Sequence, residues 1–490
     1  MSYFKKIIIG TVHSFSSIIV VRILTILTSV IVARFLGPAS LGILSIFQNI
    51  HGIFGTLTQT TISTGTTKFV AEYKAKNKDK LSDFLSTILI SVLFMSVSIS
   101  IIYFLMSDYI ANNIYGEPLI ALLIKLSSIT LLVGSLTSFQ NSILQGMQKI
   151  KKIAIIGAVN STFTLILTYF FVLKMSIVGV IIASIICALV MFFIYTPILY
   201  KELRSDTIHI KKYFHIEYFK QILNYSFPLF IGGLILRPAR LYGQTALALS
   251  QSFVEVGYFR IAFGLYSMFS YLPAAISIPL LPLISEININ EDNKHTRIYS
   301  QILRIVIISI LPVCVLSILF SKQIIIFIYG KEYIEATVVT QVLLLSAFLG
   351  SISSVIENLF LGSGNTWQIF YINVYMAITF VVSSYFLVPM YGVTGLGFAW
   401  FLVDLTLLPI FIYFAQKNSY LDVHYLYSPL ALSFMFLGLA FAIDTYISNN
   451  KLMISFFCIC VLILFEFIIT TNDEKKMLHR AFISVMRKIK

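Results

Sequence analysis

Apolar segments of about 20 residues recur from one end of this 490-residue chain to the other. A helix of 20 residues is about 30 Å long, which matches the hydrocarbon thickness of a bilayer. Only 11% of the residues are charged and the mean hydropathy is +0.91, whereas a soluble domain carries about 25% charged residues. Because helices satisfy all their backbone polar groups within lipid, the sequence predicts an all-α integral membrane protein.

Fourteen transmembrane helices fit the hydropathy pattern and the distribution of charge. With the N-terminus in the cytoplasm, 25 of the 35 basic residues fall on the inner side and seven on the outer side, as the positive-inside rule requires. We therefore expect a multi-pass protein of the plasma (inner) membrane with cytoplasmic N- and C-termini. The spans are predicted near 8–33, 41–66, 84–106, 118–146, 153–173, 178–200, 221–249, 256–284, 301–320, 338–362, 368–388, 392–415, 428–447 and 452–470.

An internal repeat relates the two parts of the chain. A single constant offset places Arg22 on Arg237, Ala33 on Ala248 and Gly42 on Gly257. Six predicted spans separate the copies, so both have the same orientation, as in transporters built from parallel halves. We expect an N-terminal six-helix half at 1–210, a C-terminal six-helix half at 211–415, and two additional helices with a basic cytoplasmic tail at 416–490. A chance match between apolar segments is the alternative.

Three arginines lie inside apolar segments: Arg22, Arg237 and Arg240. A cation at the bilayer centre costs about 2.5–3.5 kcal/mol on insertion scales, and such residues usually face a bundle interior or a wet cavity. A guanidinium keeps its charge when buried and contacts phosphate in bidentate fashion. The pattern predicts a phosphate site formed by these three arginines. The alternative is that they pair with Asp404 or Glu357 and only hold helices together.

Other polar residues are weaker candidates. Arg34, Arg260 and Lys125 are predicted near outer helix ends, where their side chains would reach lipid head groups. Asp404 and Glu357 are candidates for ion coupling. Candidate contacts to the head group of a substrate follow the polar faces of spans 2, 4 and 7, although hydrogen-bonded helix packing explains them equally well. These residues are Gln48, His51, Gln59, Gln140, Asn141 and Tyr242.

One region carries a family resemblance. The run VIVARFLGPASLGILSIF at 30–47, followed by STGTTKFVAEYK at 63–74, resembles the start of the polysaccharide-biosynthesis flippases. These proteins export lipid-linked O-antigen or exopolysaccharide repeat units, in a superfamily shared with peptidoglycan-precursor flippases and multidrug-and-toxin extrusion pumps. The resemblance implies a V-shaped cavity, alternately open to each side without ATP hydrolysis, and a phosphate-binding role for Arg22. A second basic position of the peptidoglycan-precursor type is Thr28 here, which argues against that substrate.

Three classes of function compete. The leading hypothesis is a flippase that moves an anionic polyprenyl-(di)phosphate-linked oligosaccharide by alternating access for surface polysaccharide assembly, with membrane lipids and a polysaccharide polymerase machinery as further partners. The second is a multidrug or organic-cation exporter on the same scaffold, which would want buried acids in the first half. The third is a membrane glycosyltransferase or polymerase, for which the loops are short.

Several kinds of chemistry have no counterpart in the sequence. No P-loop, nucleophile motif or metal-ligand spacing appears, and the four cysteines lie in apolar segments. We therefore expect no enzyme activity, no metal and no cofactor. The net charge of +14 reflects basic cytoplasmic loops, so we expect no nucleic-acid partner.

Overall fold

The computed structural model describes residues 3–76, 78–205, 214–269, 292–362, 366–417, 424–446 and 461–462. Within these ranges the chain is helical and contains no β-strand, so the predicted all-α fold is confirmed. Short π-helical or 3-10 segments adjoin some of the α-helices at Thr56–Thr60, Ile110–Tyr115 and Lys331–Ala336. The α-helices are α1 (Tyr3–Gly55), α2 (Thr61–Lys76), α3 (Lys78–Leu105), α4 (Ser107–Tyr109), α5 (Pro118–Gly146), α6 (Ile150–Ser205), α7 (Ile216–Ser250), α8 (Phe253–Phe269), α9 (Asp292–Leu319), α10 (Ser321–Ile328), α11 (Thr337–Gly362), α12 (Thr366–Lys417) and α13 (His424–Tyr446).

Three helical segments are too long for a single membrane crossing. They contain 55, 55 and 51 residues, or about 80 Å of helix against about 30 Å of hydrocarbon. Each contains one residue with non-helical dihedral angles, at Gly37, Ser176 or Gly392. Each segment therefore has the length and the break expected for two of the predicted spans. The segments are Val20–Lys74, Ile150–Arg204 and Trp367–Lys417.

By length and apolar composition, seven helices could cross a membrane, or up to nine if each of two bent pairs is one span, within the residues that the structure describes. One bent pair is α7, which turns by 53° between Phe227 and Phe230, and the other is α9 with α10, which meet at 77°. The number fourteen stays a prediction. Most of the predicted span at 452–470, and the part of span 8 beyond residue 269, lie outside the described residues.

The backbone repeats one unusual conformation. Ser176 has φ 51° and ψ −130°, and Gly392 has φ 56° and ψ −133°. Each of these residues interrupts one of the long helices, and their separation of 216 residues differs by one from the offset of the predicted repeat. A positive φ of this kind is accessible to glycine and costs other residues free energy. The two breaks therefore agree with the repeat inferred from sequence.

A second pair of repeat-related positions lies in direct contact. A Cβ added at Gly42 would meet the carbonyl oxygen of Phe253 at 1.8 Å, and one at Gly257 would meet that of Pro38 at 2.1 Å. The repeat that aligns Gly42 with Gly257 also aligns Pro38 with Phe253, so the contact is reciprocal. Only glycine allows two backbones to approach this closely, which explains why both copies have glycine here.

The helices group into two compact units. Unit 1 comprises Met1–Arg260 and Phe370–Gly392, and unit 2 comprises Ile261–Ile369 and Val393–Lys490. The boundary within α12 coincides with its break at Gly392. The two compact units do not have the same boundaries as the halves inferred from the repeat. The predicted division into halves at 1–210 and 211–415, with a tail region at 416–490, therefore stays a prediction.

Ion pairs stabilise helix ends in unit 1. Lys125 Nζ lies 2.7 Å from Asp108 Oδ1, so this lysine, which was expected to reach lipid head groups, has a protein partner. At the junction of α5 and α6, Lys149 Nζ lies 2.6 Å from Glu202 Oε2 and Lys152 contacts the other oxygen of the same carboxylate. The Glu202 side chain is largely buried, and a buried carboxylate requires such partners.

Candidate functional site

A cavity of about 390 Å³ lies inside unit 1 beside α1, α6 and α8. Ten of its thirteen lining residues have polar side chains, although it is surrounded by apolar helices. The residues that line it are Thr25, Thr28, Ser29, Val32, Leu44, Gln48, Asn160, Ser161, Thr164, Thr168, Val180, Ser184 and Arg260. The volume is within the range of ligand pockets, about 300–1,000 Å³.

A second cavity of about 420 Å³ lies between α5 and α6. It shares Asn160, Thr164 and Ser184 with the first cavity, so the two are adjacent, and we call them together the cleft. The second cavity is lined by Gly134, Thr137, Ser138, Asn141, Ile156, Gly157, Asn160, Thr164, Ser184, Cys187, Ala188, Met191 and Tyr195.

Arg260 is the one lysine, arginine, aspartate or glutamate among the residues that line the cleft. The sequence placed it near an outer helix end, whereas the structure places it in the cavity wall. It is the eighth residue of α8, which begins at Phe253, so it lies about 10 Å along the helix. The prediction began this span at residue 256, whereas the helix begins three residues earlier. Counting from the correct helix start would have revealed a fourth arginine inside an apolar helix.

Arg22 shares a helical face with cavity residues. Its side chain is exposed on α1, and Thr25 and Ser29, three and seven residues later, line the cleft. Residues at this spacing lie on one side of a helix. The prediction that Arg22 contributes to an anion site therefore retains a structural basis.

Arg237 lies against the end of α1. Its Nη1 donates a hydrogen bond of 3.0 Å to the carbonyl oxygen of Gly52, which also accepts a bond of 2.9 Å from the Thr56 hydroxyl. A Cβ at position 52 would meet the same Nη1 at 2.7 Å, so glycine makes room for the guanidinium. The π-helical segment Thr56–Thr60 follows directly, and such segments are frequent at functional sites.

The contact to Gly52 uses one of the five N–H donors of Arg237. The Arg237 side chain is exposed, and Arg240, three residues further along the helix, is half-buried. Both belong to unit 1, as do Arg22 and Arg260. All four arginines that the sequence or the structure singles out as cavity candidates thus belong to one compact unit.

The candidate head-group contacts divide into two groups. Gln48 and Asn141 line the cleft. Asn141 Oδ1 accepts a hydrogen bond of 3.3 Å from the Tyr195 hydroxyl. Gln59 lies close by, since a Cβ at Gly134 of the cleft wall would meet its Nε2 at 3.2 Å. These three residues are therefore positioned at or beside the cleft.

The other three candidates have different surroundings. His51 packs against the rings of Phe47 and Tyr103, with its Nε2 3.4 Å from the Thr130 hydroxyl. Gln140 is buried and its Nε2 donates a hydrogen bond of 2.9 Å to Thr196. Tyr242 is exposed on α7. None of these three is among the residues that line the two cavities.

Unit 2 contains the candidates for ion coupling. Asp404 is 4% exposed. Its Oδ2 accepts a hydrogen bond of 3.2 Å from the Tyr266 hydroxyl and another from Ser346. Glu357 is half-buried on α11. Among the residues that the structure describes, no group of three or more His, Cys, Asp and Glu side chains could hold a metal ion.

Comparisons with known proteins agree on the class of fold. The lipid II flippase MurJ in an inward closed conformation superposes with a TM-score of 0.74 at 18% identity, over 97% of this chain and 100% of that chain. An outward-facing multidrug resistance MATE family transporter of the MOP superfamily gives a TM-score of 0.62 at 17% identity, over 84% and 95% of the two chains. These similarities show a transporter fold shared by flippases and exporters.

Sequence comparison identifies the family. The uncharacterized membrane protein MJ1375 of Methanocaldococcus jannaschii is 25% identical over 74% of this chain and 87% of its own length. The family model described as polysaccharide biosynthesis protein matches residues 8–288, which is more than half of the chain and includes the whole cleft. The chain therefore belongs to the polysaccharide biosynthesis protein family.

Proposed function

We propose that the protein is a flippase that moves an anionic polyprenyl-(di)phosphate-linked oligosaccharide across the plasma membrane for surface polysaccharide assembly. The observation that carries the proposal is the charge of the cleft. Arg260 lines it and Arg22 shares a face with two of its residues, while no acid is among the lining residues. A cavity with a cation and no acid in a low-dielectric surrounding attracts anions and repels cations.

Guanidinium groups suit the diphosphate. Each presents planar N–H donors that match two phosphate oxygens and remains charged at all accessible pH values. We assign Arg22 and Arg260 to contacts with the diphosphate. Arg237 and Arg240 join this set as the anion moves, and the single hydrogen bond of Arg237 to Gly52 leaves further donors on the same guanidinium.

The remaining parts of the proposal concern the cell. Both termini lie in the cytoplasm, the partners are membrane lipids and a polysaccharide polymerase machinery, and the protein performs no catalysis of its own. Asp404 and Glu357 couple transport to an ion gradient, since a buried carboxyl group can change its charge state when its surroundings change.

Equilibrium binding tests the proposal. The purified full-length protein in phosphatidylcholine nanodiscs is titrated with undecaprenyl diphosphate and with undecaprenyl monophosphate. We expect tighter binding of the diphosphate, and a loss of at least about 30-fold in the Arg260→Gln variant, because a charged hydrogen-bonding contact contributes about 2 kcal/mol or more. Arg34→Gln, at an exposed arginine outside the cavity lining, is the matched control.

The multidrug exporter is the competing function, supported by the likeness to a MATE transporter. This function predicts that the protein binds organic cations more tightly than it binds the anionic diphosphate. Tight binding of ethidium together with diphosphate binding that is equal in wild type, Arg260→Gln and Arg34→Gln would refute the flippase proposal.

A further inference from the structure

The hydroxyl groups of the cleft point to a ligand rich in hydrogen-bond donors. Seven serine and threonine side chains in its wall donate to carbonyl oxygens of their own helices at 2.7–2.9 Å. A hydroxyl has one O–H donor and two lone pairs, so each of these oxygens retains the capacity to accept. The seven are Thr25, Thr28, Ser29, Thr137, Ser161, Thr164 and Ser184.

The second cavity combines such acceptors with apolar surface. Ile156, Ala188 and Met191 line it beside Asn141 and Tyr195. The amide of Asn141 uses its oxygen for the Tyr195 hydroxyl, which leaves its N–H donors for a ligand. Walls with hydroxyl acceptors, amide groups and apolar patches complement a pyranose ring, which has O–H and acetamido N–H donors at its edge and C–H groups on its faces.

Phosphate oxygens do not suit this second cavity. The lining residues of this cavity include neutral amide donors but no charged side chain, and an anion held there without a counter-charge is costly. The charged donor of the cleft, Arg260, lines the first cavity and is absent from the residues that line the second. The two cavities thus differ in charge, because hydroxyl acceptors line both, whereas a guanidinium lines the first alone.

We propose that the cavity between α5 and α6 is a saccharide subsite that binds the neutral, phosphate-proximal sugar of the substrate, while the diphosphate lies at Arg260. This inference rests on the proposed flippase function. It names a class of ligand for the second cavity, whose lining residues include no charged side chain. Asn160, Thr164 and Ser184 lie where the cavities meet, so they contact the sugar next to the diphosphate.

Binding of two probes tests the subsite. Undecaprenyl diphosphate and undecaprenyl diphosphate bearing one N-acetylglucosamine are titrated into the full-length protein in phosphatidylcholine nanodiscs. We expect the wild type to bind the sugar-bearing probe at least about tenfold more tightly, which corresponds to about 1.4 kcal/mol. The double variant Asn160→Leu/Thr164→Val should lose this preference, so that its affinities for the two probes agree within about twofold.

Two variants control for folding. Thr162→Val changes an exposed threonine of the same helix, whose hydroxyl also donates to its own backbone at 2.9 Å and which is not part of the cavity wall. It should retain the preference for the sugar-bearing probe. Thr164→Ser keeps the acceptor oxygen and should retain it as well.

The outcomes separate the two proposals. A preference for the sugar-bearing probe that survives in the double variant, or an equal loss for both probes, overturns the saccharide subsite. A wild type that binds both probes equally also overturns it, and the flippase proposal then stands if Arg260→Gln abolishes that binding. A wild type that binds neither probe overturns both.

Discussion

Positions of the repeat that line a polar cavity in unit 1 are filled by aromatic side chains in unit 2. Gln48 corresponds to Phe263 at the offset that aligns Gly42 with Gly257. Ser184 corresponds to Trp400 at the offset that aligns the two helix breaks. Phe263 and Trp400 pack with ring centroids 5.0 Å apart. At these two pairs of positions, unit 1 has polar side chains in a cavity wall and unit 2 has aromatic rings that pack together.

The charges of the two interiors also differ. Ala188 of the cleft corresponds to Asp404, which accepts hydrogen bonds from Tyr266 and Ser346. Unit 1 thus presents an arginine and neutral acceptors to an open cavity, whereas unit 2 buries a carboxylate among fixed donors and rings. The comparison teaches that positions related by the predicted repeat differ in side-chain volume and charge, and these differences support a binding role for the cleft of unit 1.

Removing the aromatic ring of Trp400 from unit 2 should have the largest effect on the free energy of unfolding. Trp400→Ser removes a side chain that is 5% exposed and should lower the free energy of unfolding by about 4 kcal/mol, because truncating a buried aromatic ring leaves a cavity. Denaturant titration in micelles, followed by circular dichroism, measures this. Trp367→Ser, at the other tryptophan of the chain and 54% exposed, should change it by less than about 1 kcal/mol. Equal effects of the two substitutions would show that unit 2 is not packed around Trp400.

Removing the buried acceptor should have the next largest effect. Asp404→Leu leaves the hydroxyls of Tyr266 and Ser346 without this acceptor, at about 1–3 kcal/mol for each buried donor, so we expect a loss of about 3 kcal/mol in the same titration. Asp404→Asn retains an oxygen at this position and should cost less than about 1.5 kcal/mol. If the asparagine variant were as unstable as the leucine variant, the charge and not the hydrogen bonds would stabilise this cluster.

Filling the cleft of unit 1 with a large side chain should strongly weaken ligand binding with little loss of stability. Ser184→Trp introduces into the cleft the residue type that unit 2 has at the equivalent position. Affinity for undecaprenyl diphosphate bearing N-acetylglucosamine should fall by about 100-fold, or about 2.7 kcal/mol. Leu189→Trp, on the same helix but outside the cavity wall, should keep the wild-type affinity. An unchanged affinity in Ser184→Trp would exclude the cleft as the binding site.

Exchanging residues at the two helix breaks should have the smallest effect. Ser176 has the positive φ that its counterpart Gly392 adopts without strain, and such a conformation costs a non-glycine residue about 1–3 kcal/mol. Ser176→Gly should therefore raise the free energy of unfolding by about 1 kcal/mol. The reverse change, Gly392→Ser, should lower it, the more so because a Cβ there would lie 2.8 Å from Glu255 Oε2. Destabilisation by Ser176→Gly would mean that this serine has a role that the repeat does not suggest.

Much of the fold could be predicted from the sequence because hydropathy fixes the spans. The predicted span at 118–146 matches α5, and the gap predicted between 173 and 178 contains the break at Ser176. Gly37 and Pro38 separate the first two spans as predicted, since a proline restricts the residue before it. Arg22 and Arg237 could be recognised because a charge inside an apolar segment is conspicuous.

The cleft could not be predicted to the same extent. Hydroxyl residues such as Thr164 and Ser184 read equally well as helix-packing residues, because serine and threonine donate to their own helix backbone in either case. His51 and Gln140 resemble Gln48 and Asn141 in the sequence, yet the first two pack among neighbouring helices and the last two line the cleft. Which side of a polar helix lines a cavity depends on the helices that pack against it.

The sequence by itself determined that this chain is a helical membrane protein, and it predicted an internal repeat and arginines within the spans, because hydropathy, residue spacing and charge are properties of the chain alone. Only the tertiary structure decided that Arg260 lines the cleft and that Phe263 packs against Trp400 in unit 2. A cavity is the space that side chains of several helices leave unfilled, and its volume depends on how segments far apart in sequence pack together.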